Sequence, residues 1–148
     1  MILPPTGSKL IINGTSYRDK PRLDRRKFKQ RYMIRVFAQE VWVPMSPYRA
    51  LIILACNHLL APERTVPVTD PEQYGGALGF TRALGALKRE VHKQADVKYD
   101  VFHSYPGVGY YLLFPRSRVY INKDVKRNFT LDAEVGELLD ALENKGVT

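Results

Sequence analysis

Only one cysteine, Cys56, occurs in the 148 residues, so no internal disulfide can staple this chain. Cys56 follows the apolar run Leu51-Ile52-Ile53-Leu54-Ala55, where a buried, unreactive thiol is expected. No apolar window approaches the length of a membrane span, and Met1-Ile2-Leu3-Pro4-Pro5 lacks a cationic region followed by a long apolar core. A cytoplasmic protein with no membrane partner is the expectation. Internal repeats and low-complexity tracts are missing as well. Catalytic signals are equally sparse. His58, His92 and His103 fall on different elements, no paired metal-ligand spacing occurs, and no glycine loop cradles a phosphate. An enzyme is therefore not expected, nor any cofactor or metal.

What the chain does have is positive charge. Lys and Arg number 23 against 15 Asp and Glu, a formal net charge of +8 that draws the protein to polyanions. The charge is unevenly spread: basic residues crowd into 18–31, whereas Asp132 to Glu143 is acidic. With 45% hydrophobic residues, the length suits one core with appendages.

Along the chain, Lys9 to Tyr17 contains two β-prone runs around Asn13-Gly14, which predicts a small hairpin. Residues 18–31 then read as a mobile basic linker. Met33–Phe37 and Glu40–Val43 predict a second hairpin turning at Ala38-Gln39, in one antiparallel sheet with the first. Ser46 and Pro47 give a cap and a first-turn proline for a helix ending near Leu60. Asp70-Pro71 opens a short second helix that Gly75-Gly76 halts. A third helix starts near Ala77 or Leu78, with Phe80, Leu84, Leu87 and Val91 forming one apolar stripe.

The most informative stretch comes next. Residues 97–112 fold back through Pro106-Gly107-Val108-Gly109, where glycine accepts positive φ without a Cβ penalty. A basic helix followed by a hairpin is a layout with which small proteins grip duplex DNA, one element in the major groove and the other on the backbone or minor groove. Val119–Ile121 is a further candidate strand and Asn122–Asn128 a linker. Thr130 caps a last helix with Leu131, Val135, Leu138, Leu139 and Leu142 on one face, ended by Gly146.

With the elements in this order, residues 33–112 resemble the winged-helix effector domain of the OmpR/PhoB family of bacterial response regulators. The resemblance is carried by Val43-Pro44-Met45-Ser46, by Leu84 to Val91 and by Ser104-Tyr105-Pro106-Gly107-Val108-Gly109-Tyr110-Tyr111-Leu112. It implies an α+β winged helix-turn-helix: an N-terminal antiparallel sheet, a three-helix core, a C-terminal hairpin wing, and here an extra C-terminal helix. It makes the third helix the recognition helix and the residues near Gly107 the wing tip. Pro106 stands where the family has a basic residue, and Glu90 where a lysine or arginine is common. The very short Gly75-Gly76-Ala77 argues against the family's RNA polymerase contact, and residues 1–32 are too few for a receiver domain.

The candidate DNA-binding residues follow. On the third helix they are Thr81, Arg82, Gly85, Ala86, Lys88, Arg89 and Lys93; on and after the hairpin, Lys98, His103, Tyr105 and Arg116; in the basic arm, Arg25, Arg26 and Lys27. Arginine's planar fork suits guanine O6 and N7 as well as phosphate. Each candidate also has a plain structural role to weigh: a solvated face on a core helix, a hairpin that merely closes the core, a flexible soluble arm. The expected organisation is 1–31 as hairpin and arm, 32–116 as the DNA-binding unit, and 117–148 as a strand and helix able to pair two copies in a homodimer. Double-stranded DNA is the expected partner, in a transcriptional regulator. The rival reading is a winged-helix module holding an acidic protein or RNA in a larger assembly.

Overall fold

The computed structural model describes residues 1–19, 29–61, 66–67 and 77–146. The chain is mixed α+β. Strand β1 (Leu10–Asp19) pairs antiparallel with β2 (Lys29–Val36), and β2 with β3 (Gln39–Pro44). Period-two alternation sends Leu10, Ile12, Ile34, Val36, Val41 and Val43 to one buried face. The helix α1 (Met45–Leu60), the two-residue strand β4 (Val66–Pro67), the helix α2 (Ala77–Ala95) and the hairpin β5 (Phe102–Tyr105) and β6 (Gly109–Leu112) follow. Strand β7 (Val119–Ile121), a 3-10 segment (Lys123–Phe129) and α3 (Ala133–Asn144) complete the order. Among the described residues, no helix is long and apolar enough to cross a membrane.

The sheet departs from the sequence reading in three ways. First, β1 is one strand rather than a hairpin, because Asn13-Gly14 forms a bulge where the register shifts between Ile12 and Ser16. Gly14 is needed for close approach: a Cβ there would stand 2.5 Å from the backbone carbon of Asp124. Its carbonyl accepts from Asn128 Nδ2 at 3.0 Å and Arg127 Nη2 at 3.3 Å. The expected linker 122–128 is thus the 3-10 segment packed on β1. Second, Arg18–Asp19 and Lys29–Arg31, expected in a mobile linker, belong to the β1–β2 ladder. Third, β7 joins β1 in parallel, so the four-stranded sheet β3-β2-β1-β7 is mixed rather than antiparallel. Segments 1–31, 32–116 and 117–148 all contribute strands to it.

The β2–β3 turn is Phe37-Ala38, both left-handed at φ 54° and 60°. Two-residue turns of this hand favour asparagine and glycine. Phe37 is held there by its ring, which packs 5.2 Å from Tyr99 and 5.8 Å from Phe114.

Helix α1 is apolar all round, and Pro47, Tyr48 and every residue from Ala50 to Leu59 are buried. It begins at Met45, earlier than Ser46-Pro47 suggested, with Pro47 still in the first turn, where no backbone donor is needed. Its neighbours are α2, α3, β6 and the inner face of the sheet. The Tyr48 ring stacks on Tyr32 (4.6 Å) and Phe129 (5.7 Å), and its hydroxyl donates to the Asn13 carbonyl at 2.8 Å. Burial pushes the Cys56 thiol up to about 12, which makes it inert.

Helix α3 starts after Asp132, whose carboxylate accepts from Val135 N–H at 3.1 Å and pairs with Arg49 Nε at 2.6 Å. Asp132, not Thr130, is the cap. This leaves Leu131 wholly exposed, off the apolar face to which the pattern assigned it. Val135, Leu139 and Leu142, on the face considered for dimer pairing, are buried against this chain's own core, with α1 as the helix's main neighbour.

Replacing Ala38 by glycine is expected to raise stability by about 0.5–1 kcal/mol in denaturant unfolding, by relieving the left-handed backbone. Gly14→Ala is expected to cost about 1–3 kcal/mol in the same measurement, because the obstructing atoms are backbone.

Candidate nucleic-acid interface

Helix α2 is ordered by its apolar stripe: Phe80, Leu84, Leu87 and Val91 are all buried, as their spacing predicted. Two anchors fix its rotation. Gln94 reaches the edge of β3, where its Oε1 accepts from Trp42 N–H and its Nε2 donates to Trp42 O, both at 2.7 Å. This side-chain amide pairs an edge strand as a neighbouring strand would. At the other end Phe80 meets the Tyr110 ring edge-on at 5.6 Å, and Thr81 Oγ1 shares a 2.7 Å hydrogen bond with the Tyr110 hydroxyl. Thr81, a candidate reader, therefore holds the helix to the hairpin.

With that rotation set, Arg82, Gly85, Arg89 and Lys93, at i, i+3, i+7 and i+11, lie opposite the stripe, and Ala86 flanks them. Arg82, Arg89 and Lys93 are exposed. None of the three makes an ion pair among the described residues, whereas Arg49, Lys88, Lys126 and Arg127 all do. A Cβ on Gly85 would meet only Arg89 Nη1, at 3.5 Å, so the middle of this face is low and open.

Lys88 does not belong to that face. Its ammonium lies 3.5 Å from Asp100 Oδ1, on the flank where His92 Nε2 stands 3.6 Å from the same oxygen and donates to Tyr99 O at 3.0 Å. Asp100 Oδ2 also accepts from Ile2 N–H at 3.0 Å. Burial alone would raise the Asp100 carboxyl, but the Ile2 amide, Lys88 and His92 together hold it below the ordinary range. Glu90 is likewise off the outward face: half-buried, it accepts from Gln94 on the β3 side, so its negative charge does not interrupt the cations.

The hairpin turns through Tyr105-Pro106-Gly107-Val108, with Gly107 at φ 74° and Val108 N–H donating to Tyr105 O at 3.0 Å. Proline second and left-handed glycine third is the type II turn pattern. Tyr110 and Leu112 face the core, while His103, Tyr105 and Tyr111 face outward, as alternation requires. Tyr105 lies across from Gly109 and stacks on Tyr111 at 5.1 Å, with the His103 ring edge-on to Tyr105 at 4.9 Å. The tip exposes Tyr105 (42%) and Val108 (59%). Tyr111, not among the sequence candidates, belongs to this outward group, as its place two residues after Gly109 requires.

The remaining candidates are not gathered with α2. Lys98 is exposed in the connection after the helix. Arg116 lines a hollow with Leu59, Ser117, Val119 and Tyr120, none of them from α2 or the hairpin. Arg25, Arg26 and Lys27, the short helix after Asp70 and the Gly75-Gly76 link lie outside the described residues. Of the histidines, His58 is buried and donates through Nε2 to Phe114 O at 2.8 Å, its burial lowering its pKa. Among the described residues no three His, Cys, Asp or Glu side chains are grouped to hold a metal.

No family model, curated protein or solved structure matches this chain.

The Asp100 cluster gives a pH prediction. A carboxyl depressed by folding stabilises the chain above its unfolded pKa, about 3.9, and loses that contribution as pH falls through the folded value. Wild type is expected to melt above Asp100→Asn at pH 7, and the two melting curves are expected to converge in strong acid.

Proposed function

We propose that this protein binds double-stranded DNA as a winged helix and acts as a transcriptional regulator. α2 enters the major groove, and the β5–β6 hairpin lies on the backbone or minor groove. The observation that carries the reading is the row of exposed cations Arg82, Arg89 and Lys93, without an ion pair among the described residues, on the outward side of a helix whose rotation is pinned at both ends. Arg49, Lys88, Lys126 and Arg127 each lie against a carboxylate, whereas these three are exposed together on one helix face. Gly85 and Ala86 between them let the backbone approach a groove floor, where an arginine fork reads guanine.

Element order supports the same reading. A core helix, a short strand, a second helix and a hairpin follow one another, and the short strand pairs with the hairpin as β4-β6-β5. That order and pairing support a winged-helix reading, with β4-β6-β5 as the wing sheet beside the sheet of the N-terminal strands. The basic segment Lys20, Arg22, Arg25, Arg26 and Lys27 leaves from the far end of β1 and β2. That end is tied to α2: Tyr17 packs edge-on to Trp42 at 4.7 Å, and the Trp42 backbone is held by Gln94. The charge of this segment supplies further phosphate contacts.

A random-library selection on duplex DNA at physiological salt tests the reading. It is expected to return a preferred sequence, for which Arg82→Ala or Arg89→Ala weakens binding by about 1–3 kcal/mol, far more than for random duplex. Substituting Arg25, Arg26 and Lys27 by alanine is expected to weaken all duplexes alike and flatten the salt slope by roughly 0.9 for each phosphate no longer neutralised. Equal, weak binding to every duplex with strong binding to an acidic protein or RNA would favour the rival reading.

A further inference from the structure

On the side of the four-stranded sheet away from the core lies a cavity of about 510 Å3 that the proposed DNA contacts do not use. Its floor is Ile11 and Arg35, which face each other across the β1–β2 ladder. Its walls are the Phe37-Ala38 turn, the connection through Val97 and Tyr99, and the strap Pro5 to Lys9.

The walls are built rather than loosely draped. Ser8 donates to Pro5 O through both its backbone N–H (3.0 Å) and its hydroxyl (2.6 Å), and Gly7 takes φ 85° to close that turn. The chain before the strap is fastened to the connection by two hydrogen bonds between Ile2 and Asp100, at 3.0 and 2.8 Å. Phe37 and Ala38 hold left-handed backbone at the opposite wall, and such strain gathers at ligand clamps.

The lining is chemically one-sided. Ile11, Phe37, Val97 and Tyr99 make it apolar, and among the described residues the charged ones that line it are Lys9 and Arg35, both cations. Lys9 Nζ is drawn 5.9 Å over the Tyr120 ring, whereas Arg35 has no ion pair among the described residues. The volume falls within the range of roughly 300–1,000 Å3 typical of small-molecule sites, which are mostly apolar with a few placed polar groups.

We propose that this cavity binds a small apolar molecule carrying one anionic group, such as a medium-chain carboxylate. Its chain lies among Ile11, Phe37, Val97 and Tyr99, and its head group pairs with Arg35. The inference stands apart from the DNA reading, since none of these residues lies on the outward face of α2.

Calorimetric titration of the whole protein with decanoate, and with decanol as the neutral probe, tests it. Wild type is expected to bind one decanoate. Arg35→Gln is expected to weaken decanoate about tenfold, as removal of one charge-assisted hydrogen bond does, while changing decanol less than about twofold. Val97→Trp, which fills the cavity, is expected to abolish binding of both; should that chain fail to fold by circular dichroism, Ile11→Trp serves in its place. Absence of decanoate binding by wild type at millimolar concentration, or binding that survives either the Arg35 or the cavity-filling substitution unchanged, would overturn the proposal.

Discussion

The burial of α1 on every side is the constraint from which the rest of this structure follows. A helix apolar all round must be covered all round. The sheet, α2, α3 and β6 each supply part of that cover. Covering α1 consumes the apolar stripe of α2 and the apolar face of α3. It also fixes which residues must face away, and on α2 those are Arg82, Gly85, Arg89 and Lys93. The proposed interface is thus the complement of a packing requirement.

Charge is sorted on the same plan. The acidic α3 is partly neutralised from within, Asp132 by Arg49 and Asp140 by Lys126, while Asp100 gathers Lys88, His92 and the Ile2 amide. Arg49, Lys88 and Lys126 thus find their partners within the chain. Arg82, Arg89 and Lys93 have none among the described residues, and an exposed row of like charge on a helix is mildly unfavourable unless something anionic meets it.

Local and periodic features were legible in the sequence. The α2 stripe stood out because four apolar residues kept helical spacing over three turns, and the hairpin because Pro106-Gly107 fixes a turn that only glycine completes easily. Tertiary partners were not legible. Asn13-Gly14 signals equally a turn or a bulge, and the choice fell to a segment more than a hundred residues away that packs on Gly14. The parallel pairing of β7 with β1 has no local signature at all. On the candidate site, the outward residues followed from the stripe by subtraction. The engagement of Lys88 with Asp100 and of Thr81 with Tyr110 depended on where the chain returned after the helix. Glu90 misled for a related reason, since the Gln94 it bonds is itself held by Trp42 of β3, remote in sequence.

The most direct measurement of the central claim is the pattern of backbone amide chemical-shift changes when a selected duplex is titrated into isotope-labelled protein. The largest changes are expected along Arg82 to Lys93 and at the turn of the β5–β6 hairpin, with α3 and the outer face of the sheet little affected. Changes concentrated on α3 or around Arg116, with the outward face of α2 silent, would contradict it.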